Sequence, residues 1–455
     1  MHQHEAIGPA RPAAASPQRV ALASAIGATI EWYDFFLYGT AAGLVFNKLF
    51  FTNFDSTVGT MVAFATFAVG FVARPVGGLV FGHFGDRIGR KKMLILTLLI
   101  MGGSTTVIGL LPTYDTIGVW APLLLVAMRV LQGVGVGGEY GGAVLMAVEY
   151  APRGRRAFFG SFAHIGVPAG LLLASGAFGL VSLLPEQAFL AWGWRATFVA
   201  SLALLAIGAY IRLNVLETPA FDAARRDRQV LRVPALQVWR RHRRTMLLAM
   251  GTRWVEGFTF NVYSVYLLSY AASELALPAS EVLVGVALGA AVGVAVVPVA
   301  GALADRYGRR PVYRAGVWAS AALSFPAFWL VQTGETVLVW LSLVVGLGLL
   351  YGVICAPLAA FWAELFDTRV RYTAIGAIYQ LSGIVASGLT PLIAAWLVTR
   401  GGGEPWLLAG YAVVVSMVSL LCMRALPETR DRELLDVWSY AGDERASTHR
   451  ETAAA

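Results

Sequence analysis

Stretches of about 20 predominantly apolar residues, the length a helix needs to cross ~30 Å of hydrocarbon, recur along nearly the whole chain. Twelve can be placed, near residues 20–46, 58–82, 93–112, 119–148, 157–183, 194–212, 246–271, 282–304, 312–331, 336–362, 373–398 and 405–424. In lipid a lone helix satisfies its own backbone hydrogen bonds, whereas a strand needs a closed barrel. The expected fold class is an all-α polytopic membrane protein with twelve transmembrane helices. Composition agrees, since 57% of residues are hydrophobic and 14% charged, against about 25% charged in soluble proteins. That excludes a soluble enzyme, a secreted disulfide scaffold and a disordered chain. Residues 1–19 lack the roughly 7–15-residue apolar core of a signal peptide and are expected to form a disordered cytoplasmic arm.

Basic residues give the expected orientation, because Lys and Arg in short loops stay cytoplasmic. Alternate loops hold Arg87, Arg90, Lys91 and Lys92; Arg153, Arg155 and Arg156; Arg306, Arg309, Arg310 and Arg314; and Arg369 with Arg371. The stretch 213–245 adds a run of arginines from Arg225 to Arg244, while the intervening loops offer little beyond Lys48 and Arg400. Both termini and the central linker are therefore expected on the cytoplasmic side of the membrane. This placement accounts for most of the excess of 35 Lys+Arg over 27 Asp+Glu, so no nucleic-acid partner is implied. With only Cys355 and Cys422 there is neither a disulfide framework nor a thiolate metal site, and the histidines show no metal-ligand spacing.

The linker divides the helices six and six, and the halves repeat one another. Gly82-His-Phe-Gly-Asp86-Arg87-Ile-Gly89-Arg90-Lys91 after the second helix matches Gly301-Ala-Leu-Ala-Asp305-Arg306-Tyr-Gly308-Arg309-Arg310 after the eighth. Glu149 precedes Arg156 after the fourth helix as Glu364 precedes Arg371 after the tenth, and Glu217-Thr-Pro219 is echoed by Pro427-Glu428-Thr-Arg430. The expected organisation is a six-helix bundle over 20–212, a basic linker over 213–245, a second bundle over 246–425 and a cytoplasmic tail over 426–455. Parallel repeats facing each other across a midplane cavity suit alternating access by rocking.

These glycine- and arginine-rich loops resemble the signature of the major facilitator superfamily, and Arg129-Val-Leu-Gln132-Gly133 resembles its helix-4 motif. Ile30-Glu31-Trp32-Tyr33-Asp34-Phe35, the run from Gln132 to Glu139 and Glu149-Tyr-Ala-Pro152 are similar to the metabolite:H⁺ symporter family within it. The likeness covers residues 20–430. That family carries organic acids such as shikimate, α-ketoglutarate and citrate, and also proline and betaines. The resemblance implies a cytoplasmic gate built on Gly82, Asp86, Arg87, Gly89, Arg90, Glu139, Glu149, Arg156, Asp305, Arg306, Arg309, Glu364 and Arg371. Salt bridges there would hold the outward-facing conformation and break in the other; the plainer reading is that the charges only set topology.

An ionisable side chain at mid-bilayer costs at least ~2.5–3.5 kcal/mol, so each is a functional hypothesis needing a partner. Seven qualify: Glu31, Asp34, Arg74, Arg129, Glu139 (nearer the cytoplasm), Arg253 and Glu256. They point to helices 1, 2, 4 and 7 as the lining of the path. Glu31 and Asp34 are three apart on one helical face. Two adjacent carboxylates cannot both ionise cheaply in low dielectric, so one is expected to bind a proton reversibly. Arg129, at similar depth, is the expected counter-ion, and proton and substrate would compete for it; a permanent structural pair is the alternative. Arg253 and Glu256 repeat the spacing and are candidate substrate contacts, as is Arg74 unless it snorkels toward the cytoplasm. His164 titrates near neutral pH and stands where symporters of this family more commonly carry Gln. Tyr33, Trp254, Tyr379 and Gln380 are further candidate contacts, although most aromatics in such helices pack on neighbours.

Gly133-x-Gly135-x-x-Gly138 formally matches a dinucleotide fingerprint, but it lies inside an apolar helix rather than between a strand and a helix, where small residues suit close helix packing. No phosphate-binding lysine motif occurs, so no cofactor is expected and a proton gradient is the expected energy source. The combined expectation is a monomeric, proton-coupled symporter of a small organic acid working by alternating access in the lipid bilayer. A zwitterion such as proline or betaine, or a proton-antiporting exporter, stays open. A polytopic enzyme would need a nucleophile-and-base or metal constellation that the sequence does not show, and a channel would not need the doubled six-helix pattern.

Overall fold

A computed structural model describes residues 16–88, 90–137, 140–214, 234–366, 370–432 and 434, with the backbone alone for residues 56, 82–88, 90–92, 94, 211–214 and 234–238. Expectations placed on Gly89 and Glu139, and on the side chains at Gly82, Asp86, Arg87 and Arg90, fall outside that description. Among the described residues the chain is all helical. The helices are α1 (Pro17–Leu44), α2 (Ser56–Ile88), α3 (Arg90–Leu110), α4 (Trp120–Glu149), α5 (Arg156–Val181) and α6 (Glu186–Tyr210). The second set is α7 (Pro234–Asn261, continued to Ser273), α8 (Ala279–Tyr307), α9 (Arg309–Gln332), α10 (Thr336–Leu365), α11 (Arg371–Arg400) and α12 (Trp406–Arg424).

Ten of these are long and apolar enough to cross a membrane, and α3 contributes a shorter apolar stretch, Ile95–Leu110. Helix α7 is the exception, and its own residues say why. It carries Arg253 and Glu256 in the segment that should be apolar, and both side chains are buried against neighbouring helices. The protein is thus a multi-pass membrane protein with the expected twelve helices. Helix α7 also begins at Pro234, inside the stretch read as linker, and bends at His242, whose φ of −123° leaves the helical range.

Helix starts follow local chemistry. Ser16 caps α1 by accepting from the Arg19 N–H at 3.4 Å, with Pro17 in the first turn where its missing donor costs nothing. Without a hydrophobic force between helices in lipid, close approach of small residues does the packing. A Cβ on Gly133 or Gly137 of α4 would overlap the backbone carbonyl of Gly70 or Arg74 in α2, and one on Gly166 or Gly170 of α5 would strike Ala28 or Tyr33 of α1. The glycine run that imitates a dinucleotide motif is therefore a helix-crossing surface.

Within the first bundle α5 packs on α1 and α4 on α2 and α3; within the second, α12 packs on α7 and α9, and α8 on α10. The bundles meet along α5 and α8, along α2 and α11, where α4 reaches α10 and α11, and along α1 and α7. We call the end bearing the α4–α5, α8–α9 and α10–α11 turns the arginine-rich face. At the opposite end a Cβ on Gly43 of α1 would stand 3.5 Å from Ser269 of α7, and one on Gly39 3.2 Å from Val265. Both ends are in contact, so the conformation is occluded. Single π-helical turns interrupt α7 (Val262–Tyr266), α10 (Val344–Leu350) and α11 (Ile384–Gly388). Such turns are frequent at functional sites, and these three helices carry the second bundle's share of the buried polar centre.

Candidate functional site

Six of the seven intramembrane charges are described, and all six side chains are at most 5% exposed. They form two groups. In the first, inside bundle one, the Arg129 guanidinium lies over the rings of Tyr38 at 4.2 Å, Phe35 at 4.3 Å and Phe67 at 5.0 Å. It donates to the Gln132 side-chain oxygen and to the Phe67 carbonyl at 3.5 Å. Gln132 in turn donates to the Asp34 backbone carbonyl at 3.3 Å and to the Thr105 hydroxyl at 2.8 Å. Thr105 lies beside the Asp34 carboxylate, whose Oδ1 finds no hydrogen-bond partner among the described residues.

Among the described residues Arg129 therefore forms no ion pair with Asp34 in this conformation. Arg129 is held by an aromatic cage and by Gln132, whose amide in turn donates to the Asp34 backbone carbonyl. Nor do Glu31 and Asp34 share one environment: the Glu31 charge acts on Arg74, whereas Asp34 faces Thr105. Depth along the membrane normal had suggested one cluster; the azimuth of each side chain divides it.

The second group spans the seam between the bundles. The Arg253 guanidinium stacks over Tyr379 at 3.8 Å, and its Nε is 3.5 Å from the Glu256 carboxylate. Tyr379 stacks on Tyr140 of α4, with ring centroids 3.3 Å apart, and the Tyr140 hydroxyl meets His164 Nε2 of α5 at 3.0 Å. The Tyr351 hydroxyl of α10 faces Glu256. Arg74 of α2 lies over Phe35 at 4.4 Å, Phe71 at 4.5 Å and Trp32 at 5.3 Å, within electrostatic reach of Glu31, Tyr379 and Arg253. Two guanidiniums from opposite bundles thus act on one tyrosine. Nitrogens on both, Nε and Nη2 of Arg74 and Nε and Nη1 of Arg253, are buried with no hydrogen-bond partner among the described residues. Such donors cost free energy unless something accepts from them, and an anion of carboxylate geometry is the matching acceptor. Gln380 donates to the Gly137 carbonyl at 3.0 Å and so ties α11 to α4.

The arginine-rich face carries a second polar network. Asp305 at the end of α8 accepts from the backbone N–H groups of Ala157 at 2.9 Å and Phe158 at 2.8 Å, at the start of α5 in the other bundle. Arg309 forks onto Glu364 at 3.0 and 3.2 Å and donates to Asp305 at 2.8 Å. Glu149 pairs with Arg371 at 3.3 Å, and Arg156 with Glu364 at 3.8 Å. Each Glu–Arg repeat is therefore exchanged across the seam. Residues past α12 join in: Thr429 donates to Glu364 at 2.7 Å, and the carbonyls of Arg432 and Leu434 accept from Arg156 at 2.6 Å and Arg371 at 2.7 Å.

A family model described as Major Facilitator Superfamily matches residues 24–386. The chain belongs to this superfamily. Among relatives of this facilitator, an inner membrane metabolite transport protein of Escherichia coli K12 is 41% identical over 429 residues, covering 92% of this chain and 96% of that protein. The shikimate transporter of the same organism is 37% identical, covering 89% of this chain and 93% of its own. A proline/betaine transporter of Salmonella typhimurium is 38% identical, with coverages of 92% and 85%. These relatives match the metabolite:H⁺ symporter family and are transporters, not enzymes. In fold, the xylose transporter of E. coli in a partially occluded inward-open conformation superposes with a TM-score of 0.70 at 17% identity, covering 92% of this chain and 99% of that one.

Two candidate contacts and one candidate gate residue of the facilitator point elsewhere. The Tyr33 hydroxyl donates to the Thr197 carbonyl of α6 at 3.1 Å, so it braces α1 on α6. Trp254 lies on the face of α7 that carries Phe258, and both meet Tyr411 of α12. Arg306 is exposed, over the Tyr307 ring at 5.3 Å and outside the Asp305 network. Conversely, sequence reasoning passed over Tyr140, Gln132 and Thr105. The signal available was position: Tyr140 directly follows the Gln132–Glu139 run, and a neutral polar side chain within an apolar helix also needs a partner.

Proposed function

We propose that this facilitator is a proton-coupled symporter of a small organic acid, resident in an inner membrane with the arginine-rich face and both termini cytoplasmic. The observation that carries the reading is the pair Arg74 and Arg253, one from each bundle, with unsatisfied donors on both and Tyr379 within electrostatic reach of each. A substrate carboxylate accepting from both would bridge the bundles, which is what substrate must do in a rocking carrier. It would also compete with Glu31 for Arg74 and with Glu256 for Arg253. Each acid deprived of its cation becomes costly as an anion in a buried site, and proton uptake relieves that cost. Asp34, with no ion pair among the described residues, is assigned a second proton site, its carboxylate linked to Arg129 through Thr105 and Gln132. The arginine-rich network closes the cytoplasmic side while substrate and proton load from the other.

A second reading has its own support. Arg253 and Glu256, 3.5 Å apart, offer adjacent positive and negative groups that complement a zwitterion, and a relative 38% identical is a proline/betaine transporter. Uptake into proteoliposomes under an imposed pH gradient separates the two, with labelled mono-, di- and tricarboxylates screened beside proline and betaine. Gradient-driven accumulation of a carboxylate is the expected result. Accumulation of a zwitterion alone would sink the anion reading, and accumulation indifferent to the pH gradient would sink proton coupling.

A further inference from the structure

Where α5 begins and α8 ends, on the arginine-rich face, a groove of about 590 Å³ runs along the outside of the bundle seam. Phe158 and Phe162 of α5 form one wall and Pro298, Val299 and Leu303 of α8 the other, with Arg306 at its end. A recess of about 200 Å³ continues from Phe158 to Arg155, Asp305 and Arg306. Val299 and Leu303 are 60% and 42% exposed within a membrane-spanning helix, so the trough opens to lipid rather than to the transport site.

The mouth of the groove is positively charged. Arg155 lies over Phe158 and Phe159 at 5.0 and 5.7 Å and Arg306 over Tyr307 at 5.3 Å; both are exposed, and neither forms an ion pair among the described residues. Asp305, the acid in the recess, has both oxygens engaged by the Ala157 and Phe158 amides and by Arg309. Two unmatched guanidiniums therefore stand above an apolar trough at the depth where a helix leaves the membrane. Arginine forks match phosphate oxygens bidentately, and the trough matches an acyl chain.

We propose that this groove binds one anionic glycerophospholipid, with its phosphate between Arg155 and Arg306 and one acyl chain along Phe162, Val299 and Leu303. The two arginines belong to opposite bundles and flank the bond from Asp305 to the start of α5. A bound lipid therefore ties α5 to α8 and favours the closed arginine-rich face.

The test is native mass spectrometry of the full chain released from nanodiscs containing equal phosphatidylglycerol and phosphatidylcholine with identical chains. The wild type should retain one phosphatidylglycerol in preference to phosphatidylcholine. Each basic residue near an anionic surface is worth about fivefold in binding, so Arg155→Gln with Arg306→Gln should lower retention roughly 25-fold. Arg155→Lys with Arg306→Lys keeps the charge but loses the fork, so retention should fall less than in the double Gln variant. Inorganic phosphate, which lacks the acyl chain, should not displace the lipid from the wild type. No headgroup preference in the wild type, unchanged retention in a double Gln variant that still melts like the wild type, or displacement by inorganic phosphate would each overturn the proposal. Should the double Gln variant fail to fold, the wild-type preference and the phosphate competition decide alone.

Discussion

Replacing Asp305 with Ala tests how the arginine-rich face is held shut. Its carboxylate accepts two backbone N–H groups across the seam, from Ala157 and Phe158, and one bond from Arg309 within its own bundle. Only the first two are lost when the bundles part, so only they bias the conformational equilibrium; the Arg309 bond survives in either state and contributes to folding. A hydrogen bond to a charged group is worth about 1.5–3 kcal/mol net. The lower end applies, because the carboxylate and the first amides of α5 regain water on opening. Two bonds then favour the closed face by about 3 kcal/mol, so Asp305→Ala should raise the open-to-closed ratio roughly 150-fold. Spin labels at Pro152 and Arg314, exposed positions on opposite bundles, report this as a new, longer distance in nanodiscs. Glu364→Gln is the internal control. Only its 3.8 Å contact with Arg156 crosses the seam, so it should open the face far less. It should instead cost about 1.5–3 kcal/mol of stability by breaking half of the fork on buried Arg309, which keeps Asp305 and the Ala304 carbonyl. An unchanged distance distribution in a folded Asp305→Ala protein, or equal opening by Glu364→Gln, would refute this division of roles.

Arg253→Lys keeps the charge but loses the planar stack on Tyr379, worth up to about 2 kcal/mol when desolvated. It also loses the fork that matches a substrate carboxylate, so its uptake KM should rise by about tenfold or more, and an unchanged KM removes Arg253 from the substrate site. Gly170→Val places a Cβ 2.6 Å from the Tyr33 nitrogen and 2.8 Å from the Thr29 carbonyl of α1, whereas a Cβ at Gly176 meets nothing within 4 Å. The first substitution should destabilise by about 1–3 kcal/mol or more and the second should leave the melting temperature unchanged, so equal melting of the two would contradict the packing argument. Burial alone would push the Glu428 carboxyl up, but the backbone N–H groups of Arg310, Arg309, Thr429 and Arg430 outweigh it and hold it below the usual range. A group depressed on folding stabilises above its unfolded value, about 4.3, and loses that contribution as pH falls through the lower folded value. The melting-temperature gap between wild type and Glu428→Gln should therefore stay constant from neutral pH to about pH 5 and close below about pH 4; a gap that widens on acidification reverses the sign.

Twelve helices and a duplicated bundle are legible because each depends on a local property, apolar length or motif recurrence, that the membrane enforces everywhere. Even the helix that fails the apolar criterion could be placed, since the charges that spoil it are the ones that mark the site. What sequence does not carry is azimuth. Glu149 and Arg156 share a turn, as do Glu364 and Arg371, and spacing alone permits each pair to close on itself. The structure exchanges them, Glu149 with Arg371 and Arg156 with Glu364, because the pseudo-symmetric turns face one another across the seam. The same blindness merged Asp34, Glu31 and Arg129 into one cluster and turned Tyr33 and Trp254 toward the centre. The deciding contacts to Arg74, Thr197 and Tyr411 lie on different helices, and Gln132, on Arg129's own helix, decides by bonding to Asp34 and Thr105 on two others.

The two closures differ in kind, and the difference bears on the cycle. At the end opposite the arginines, α1 and α7 meet through Gly39, Gly43, Val265 and Ser269, a van der Waals seam with little to lose in lipid beyond contact energy. The arginine-rich face is closed by directional polar bonds from Asp305, Glu149, Arg156, Glu364 and Arg371, and the segment after α12 adds two carbonyls to it. Parting that face separates charges that only water can re-solvate, so it opens when something inside offsets the loss. A ligand bridging Arg74 and Arg253 acts on the same rigid bundles that these bonds join. A ligand shifts such an equilibrium only by its differential affinity for the two states. The bridge must therefore bind more tightly once the arginine-rich face begins to open than while it is shut, and the guanidinium donors left unsatisfied in the occluded geometry provide the reserve from which that difference can come.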